Sequence, residues 1–199
     1  EGPEECTKQV LCSFVSQMFP ALFHIPDYNE FLETADFLPT YELYYKQLQI
    51  LGDHGKRWLL KSPIHTQSVD SLLQVFPDLK IIHLHRDFGE VLGSLCSLSA
   101  GFRGMVGDHI DGRKIGHEVK KFLIRDTAKS RKIMDANPDL VLDIHYRKFI
   151  DSPIETIKRI FEFTEVNYSS DIETRIKREM NVTVANKFGR HIYRLEDYF

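Results

Sequence analysis

Two short segments of the chain carry cations and a hydroxyl at positions that suit an anionic ligand. In the first segment, Lys61 precedes His65 by four residues, and in the second, Arg86 precedes Ser94 by eight. A guanidinium offers phosphate a two-pronged hydrogen bond, and a lysine ammonium meets an anion as a point charge. The two segments therefore predict a phosphate-binding site.

Each segment also has an ordinary structural interpretation. Lys61 can face solvent while His65 begins a helix, and Arg86 can form a surface pair with Asp87. The choice between the interpretations depends on whether the fold brings the two segments to one place.

The region around these segments alternates between short apolar runs and helical patterns. The runs at 58–60, 80–85 and 140–145 are rich in Ile, Val and Leu and are predicted to be buried strands. Helical patterns are predicted at 67–76, 89–99, 117–136, 153–164 and 170–180. Alternating strands and helices predict an α/β fold with a parallel sheet flanked by helices, whose ligands lie beyond the carboxyl ends of the strands.

Residues 4–52 are predicted to be helical, with breaks at Pro20, Pro26 and Pro39. Aromatic residues recur there at helical spacing, which favours core packing, although some of them could line an acceptor pocket. We expect one domain over 1–199, with a helical substrate-side region at 1–55 and an α/β core with C-terminal helices at 56–199.

Net charge, apolar runs and cysteines indicate which partners and which compartment to expect. The chain has 199 residues and a net charge of −3, which argues against nucleic-acid binding. No apolar run reaches the ~18 residues that a membrane-spanning helix needs. Three cysteines without metal-ligand spacing favour reduced thiols, so we expect a cytoplasmic protein, or a Golgi-lumen protein if an anchor lies upstream.

The order of these residues resembles the family of sulfotransferases that use 3′-phosphoadenosine 5′-phosphosulfate (PAPS). The matching segments are Lys-Ser-Pro-x-His at 61–65, Val-Phe-Pro-Asp-x-Lys-Ile-Ile-His-x-His-Arg-Asp at 75–87 and Val-x-x-Ser-x-Cys-Ser-Leu at 91–98. The likeness is to the branch with Lys-Ser-Pro-x-His and His-Arg-Asp motifs, although Phe88 replaces the usual Pro. The resemblance implies a fold like that of the P-loop nucleotide hydrolases, with PAPS as donor and 3′-phosphoadenosine 5′-phosphate (PAP) as product.

The resemblance also implies nucleotide contacts. Arg86 and Ser94 have the spacing of the pair that holds the 3′-phosphate in the family. Tyr146 corresponds to a tyrosine near the adenine, although a basic pair at 147–148 replaces the family's acidic pair. Three residues of a C-terminal segment that resembles the family's glycine loop are expected at the 3′-phosphate, and they are Lys187, Gly189 and Arg190.

One family element has no match in this sequence. The glycine-rich loop that cradles the 5′-phosphosulfate with backbone N–H groups is absent, so we expect an N-terminally incomplete domain.

For catalysis, Lys61 is expected to neutralise the leaving phosphate, and no metal is required. His65 is one candidate for the general base. Glu5, or its neighbour Glu4, is the other, because several branches of the family use a glutamate.

Other functions remain open at this point. A non-catalytic relative would bind nucleotide or a protein partner, and a nucleotide kinase would prefer ATP. The tripeptides His-Arg-Asp and Asp-Phe-Gly at 85–89 overlap, whereas protein kinases keep them apart. His83 and His85 share a strand face but lack a third metal ligand with suitable spacing. The acceptor, a small molecule or a carbohydrate, and the oligomeric state are not indicated.

Overall fold

The structure, a computed structural model, describes residues 5–52, 55, 57–107, 110–182 and 193–199. The α-helices in this part of the chain are α1 Thr7–Leu11, α2 Met18–Leu22, α3 Pro26–Thr34, α4 Leu38–Leu51, α5 Val69–Val75, α6 Phe88–Met105, α7 Gly112–Asp135, α8 Tyr146–Asp151, α9 Pro153–Phe163 and α10 Ser170–Val182. The strands are β1 Ile81–His85 and β2 Val141–His145, and short 3-10 turns cover Pro63–Ser68, Pro138–Leu140 and Leu195–Asp197.

The two strands form the parallel sheet that the sequence predicts. β1 pairs with β2 in a register that places Ile81 opposite Val141 and His85 opposite His145. Each strand begins with two apolar residues, and the β-branched residues among them, Ile81, Ile82 and Val141, pack well on a pleated surface. Since both strands end at the same level, the residues that follow them lie at one edge of the sheet.

The predicted strand at 58–60 is wrong. The segment 57–62 forms no regular element, and Leu59 is 89% exposed. An apolar run becomes a strand only if a neighbouring strand satisfies its backbone groups, and the described residues offer it none. Instead, the backbone N–H of Cys6 donates to the carbonyl of Lys61 at 2.9 Å. Lys61 therefore follows an irregular segment rather than a strand of the sheet.

The N-terminal helices share a core with α5 and the residues around it. Its buried members are Cys6, Val10, Leu32, Phe37, Tyr41, Tyr44, Leu48 and Leu72. Pro26 and Pro39 lie in the first turns of α3 and α4, as expected for helix starts. The predicted break at Pro20 is wrong, because Pro20 is the third residue of α2, where its missing N–H would have no partner within the helix.

A second core joins α6, α7 and the C-terminal residues. Its buried members are Leu92, Cys96, Ile115, Val119 and Tyr198. The tail lies directly on α7 because Gly116 has no side chain: a Cβ there would lie 2.2 Å from the Tyr198 carbonyl oxygen. All three cysteines are free thiols, two of them buried. None of the described helices is both long enough and apolar enough to cross a bilayer.

Candidate active site

Lys61 and Glu5 lie side by side. The segment 5–7 runs along residues 61–62: the backbone N–H of Lys61 donates to the Cys6 sulfur at 3.2 Å, and the hydroxyls of Thr7 and Ser62 lie 2.9 Å apart. These contacts bring the Glu5 carboxylate into a direct ion pair with the Lys61 ammonium. Two of the predicted catalytic residues, far apart in sequence, are thus brought together.

The Lys61–Glu5 pair is held loosely. The Lys61 side chain is 70% exposed and that of Glu5 is 45% exposed. An exposed pair of this kind contributes about 0–1 kcal/mol, because water screens both charges. Lys61 can therefore exchange Glu5 for an incoming anion at small cost, and that exchange frees the carboxylate.

His65 lies in the 3-10 turn that Pro63 begins. Its ring packs against Tyr41 and Tyr44, with centroids 5.8 and 5.9 Å away. Nδ1 of His65 lies 3.0 Å from the Tyr41 hydroxyl. Burial lowers the pKa of His65 to about 4, because desolvation disfavours the imidazolium. His65 is therefore neutral at physiological pH.

Tyr41 and Ser68 complete the surroundings of His65. Tyr41 is fully buried, and its hydroxyl accepts a hydrogen bond from Ser68 Oγ at 3.2 Å. Burial also raises the pKa of Tyr41, so its hydroxyl keeps its proton. Sequence reasoning missed this role, because an aromatic residue at helical spacing indicates core packing and nothing in the spacing links it to His65.

Arg86 and Tyr146 meet at the edge of the sheet where the strands end. The Arg86 guanidinium carbon lies 4.6 Å from the centroid of the Tyr146 ring, a cation–π contact. The parallel register explains the contact, because Arg86 follows β1 by one residue and Tyr146 directly follows β2. Two residues predicted separately, one for the phosphate and one near the adenine, are thus neighbours.

Glu90 is a carboxylate that sequence reasoning missed at this place. It lies 3.5 Å from the Arg86 guanidinium and 3.9 Å from that of Arg147. Its position is fixed by the start of α6, where the Asp87 side chain accepts from the Glu90 backbone N–H at 3.0 Å. An anion that binds Arg86 must compete with Glu90.

Ser94 is exposed on α6, two turns after the helix begins. The C-terminal residues approach the same face: Tyr193 donates its hydroxyl to the Glu90 carbonyl at 2.8 Å. Its ring also lies against Gly93, where a Cβ would be 2.4 Å from it. The other predicted phosphate contacts, Lys187, Gly189 and Arg190, lie outside the described residues, as does Glu4.

The residues around Lys61 and the residues around Arg86 form two separate groups in this structure. Within the described ranges, no hydrogen bond or ion pair links Lys61, Glu5 and His65 to Arg86 and Ser94. Two cavities of about 320 and 310 Å³ are lined by other residues. The convergence of Lys61, Arg86 and Ser94 on one ligand stays a prediction.

The strand histidines have a partner that their sequence spacing did not reveal. Strand pairing places Asp143 opposite His83, and its Oδ1 accepts from His83 Nδ1 at 3.0 Å and His85 Nε2 at 2.5 Å. Arg131 donates to the other carboxylate oxygen at 2.7 Å. The expectation that no third potential ligand joins the histidines is therefore wrong. The four side chains already satisfy one another by hydrogen bonds, so the cluster needs no ion to explain it.

Comparison with known sequences identifies the family. A sequence profile described as the sulfotransferase family matches residues 1–170. The omega-hydroxy-beta-dihydromenaquinone-9 sulfotransferase Stf3 of Mycobacterium bovis is 26% identical over 149 residues, which cover 69% of this chain and 37% of that protein. An uncharacterised protein of Aquifex aeolicus is 25% identical over 160 residues, which cover 77% of this chain and 20% of that one.

Solved structures agree in fold. The sulfotransferase STF1 of Mycobacterium tuberculosis H37Rv superposes with a TM-score of 0.83 at 26% identity, over 98% of this chain and 51% of that one. The sulfotransferase STF9 of Mycobacterium avium has a TM-score of 0.85 at 24% identity, over 99% and 52%. The chain spans about half the length of these structures and a smaller share of the curated relatives. This α/β chain belongs to the sulfotransferase family.

Proposed function

We propose that this protein transfers a sulfuryl group from PAPS to a hydroxyl or amine of a small-molecule or carbohydrate acceptor. The observation that carries the proposal is the contact of Arg86 with Tyr146 at the end of the parallel strands. A cation beside an aromatic ring is suited to a phosphorylated adenosine, because the cation can bind phosphate and the ring can contact a base.

The residues around Arg86 fit such a ligand. Arg86 directly precedes Asp87, the N-cap of α6, and backbone N–H groups and the helix dipole favour negative charge at this helix end. Ser94 presents an exposed hydroxyl on the same helix. In this proposal Arg86 and Ser94 hold the 3′-phosphate and Tyr146 contacts the adenine. Lys187, Gly189 and Arg190 are further 3′-phosphate contacts in this proposal, on the resemblance of their segment to the family's glycine loop.

Lys61 and Glu5 supply charge and proton chemistry. PAPS, when bound, supplies the sulfuryl group and leaves as PAP. Lys61 would neutralise the charge that develops on the departing 5′-phosphate, as preorganised cations do in other phosphate chemistry. A general base must take the proton of the acceptor, and Glu5 and His65 are the two candidates on this side of the molecule.

The name of one relative bears on the acceptor. Stf3 is named as a sulfotransferase of omega-hydroxy-beta-dihydromenaquinone-9, a hydroxylated compound. That name supports a hydroxyl acceptor for the present protein. Hydroxylated quinols, sterols, sugars and amines can each be incubated with the protein and sulfur-labelled PAPS. The compounds that become labelled identify the class of acceptor.

Calorimetric titration of this chain with PAP tests donor binding. We expect PAP to bind and ATP to bind more weakly, because ATP lacks the 3′-phosphate. Arg86→Ala should weaken PAP binding at least ~10-fold, since a charge-assisted hydrogen bond contributes about 1.5–3 kcal/mol. Arg86→Lys should lose less PAP affinity than Arg86→Ala, because lysine keeps the charge although it cannot form the two-pronged hydrogen bond of a guanidinium.

Arg113→Ala is the matched control, because Arg113 is an exposed cation on α7. Its PAP affinity should match that of the unchanged chain. Tighter binding of ATP than of PAP would favour a nucleotide kinase, and equal PAP binding by Arg86→Ala would remove Arg86 from the site.

A further inference from the structure

The two ring nitrogens of His65 have different surroundings. Nδ1 lies 3.0 Å from the Tyr41 hydroxyl, inside the packed aromatic cluster. Nε2 makes no hydrogen bond to the described residues and is not among their buried unpaired atoms. Because Nδ1 already faces the Tyr41 hydroxyl, Nε2 is the ring nitrogen left for a substrate, and its protonation state decides what His65 can do there.

The Tyr41 hydroxyl determines that state. Its oxygen accepts a hydrogen bond from Ser68 Oγ, so its own hydrogen is available for a different acceptor. Tyr41 is 0% exposed, so water cannot take this hydrogen, and His65 Nδ1 is the acceptor in reach. While Ser68 donates to Tyr41, a proton on Nδ1 would leave the Tyr41 hydrogen buried without an acceptor, which is costly. The lower-cost arrangement therefore has Tyr41 donating to Nδ1.

We infer that Tyr41 is a positioning residue that fixes His65 in the tautomer with its proton on Nε2, which makes His65 a hydrogen-bond donor and Glu5 the general base. The inference rests on the proposed sulfuryl transfer and decides between its two candidate bases. A neutral imidazole whose Nδ1 accepts from Tyr41 and whose Nε2 carries hydrogen has no lone pair for the acceptor's proton. The low pKa of His65 agrees with a ring that stays neutral.

Glu5 meets the requirements that His65 does not. Its carboxylate is exposed, and an ionised carboxylate only accepts hydrogen bonds. When Lys61 turns to the 5′-phosphate, Glu5 loses its ion-pair partner and keeps the hydrogen bond from the Thr7 hydroxyl at 3.3 Å. Glu5 then takes the proton of the acceptor as the acceptor oxygen, or nitrogen, bonds to sulfur. Lys61 holds the phosphate oxygen whose bond to sulfur breaks. His65 donates from Nε2 to an oxygen of the sulfuryl group that is being transferred.

Nitrogen-15 NMR of histidine reads the tautomer directly. The chain has nine histidines, and a His65→Asn variant assigns the His65 signals by their loss. At pH 7.5 we expect the pattern of a neutral ring protonated at Nε2. In Tyr41→Phe, which removes the donor and keeps the ring, we expect a shift toward a mixture of tautomers. A proton on Nδ1, or an unchanged tautomer in Tyr41→Phe, would overturn the inference.

Turnover separates donor from base. A glutamine at position 65 can donate from a place near Nε2 but cannot act as a base, so His65→Gln should lose less than ~10-fold in kcat. Glu5→Gln should lose ~100-fold or more, the range of a missing general base. The matched control is Glu42→Gln, an exposed glutamate on α4, which should keep full turnover.

A large loss of kcat in His65→Gln, with little loss in Glu5→Gln, would show that His65 is the general base. The NMR measurement needs neither donor nor acceptor. Failure to bind PAP would therefore refute the proposed function and leave the tautomer measurable, so the two failures can be told apart.

Discussion

His65→Asn should change how the stability of the protein depends on pH. The folded imidazole has a pKa of about 4 and the ordinary value is 6.5, because burial disfavours the charged ring. Between these values the unfolded chain binds the proton and the folded chain does not. The free energy of unfolding should therefore fall as the pH drops from 6.5 toward 4. The asparagine introduced by His65→Asn does not titrate, and its amide oxygen keeps an acceptor near the Nδ1 position.

The size of the effect follows from the two pKa values. Relative to pH 8, the unchanged protein should lose about 1.4 kcal/mol at pH 5.5 and about 2.5 kcal/mol at pH 4.5 through His65 alone. These losses should be missing in His65→Asn. The variant is expected to be less stable at pH 8, because it loses the packing of the ring. The difference in free energy of unfolding between the two proteins should then be smaller at pH 5.5 and 4.5 by the amounts given above.

Urea unfolding followed by circular dichroism at four pH values measures the difference. His117→Gln is the matched control, because His117 is exposed on α7. Parallel curves for the unchanged protein and His65→Asn from pH 8 to 4.5 would refute the burial argument, since the folded imidazole would then bind its proton as easily as the unfolded one.

Three further substitutions, with Gly101→Ala as a control for one of them, test other contacts. Glu90→Gln should tighten PAP binding by up to ~5-fold, because Arg86 no longer has a competing carboxylate; weaker PAP binding in calorimetry would mean that Glu90 supports the site. Arg103→Ala should lower the free energy of unfolding by about 2–4 kcal/mol in urea melts, because Arg103 is 4% exposed and donates to Glu118 and to the Pro20 carbonyl; a loss as small as that of Arg113→Ala would show that the pair is dispensable. Gly116→Ala should destabilise by about 1–3 kcal/mol because its Cβ meets the Tyr198 carbonyl, whereas Gly101→Ala, with open space around it in α6, should stabilise by about 0.5–1 kcal/mol; equal melting temperatures would contradict the close approach of the tail.

Local sequence signals predicted the elements of the α/β core well. The strands at 81–85 and 141–145 and the helices around them follow from apolar runs, turn residues and capping side chains, all of which act over a few residues. The strand predicted at 58–60 failed for a reason that is not local. Its apolar residues suit a strand, but a ladder needs a neighbour, and local composition does not show whether one is present.

The candidate site also contains residues that local sequence signals predict and residues that they do not. Arg86 and Tyr146 were predictable because each follows a strand, and parallel strands bring their ends together. The link between Tyr41 and His65 was not predictable, since it depends on how α4 packs on a 3-10 turn. Glu90 was missed for another reason: a glutamate in the first turn of a helix is ordinary, and only the geometry shows that it competes for Arg86.

A crystal structure of the protein with PAP tests the central claim most directly. We predict the 3′-phosphate on the Arg86 guanidinium, with Glu90 displaced from it and the Tyr146 ring beside the adenosine. A nucleotide bound elsewhere, with Arg86 still paired to Glu90, would contradict that claim.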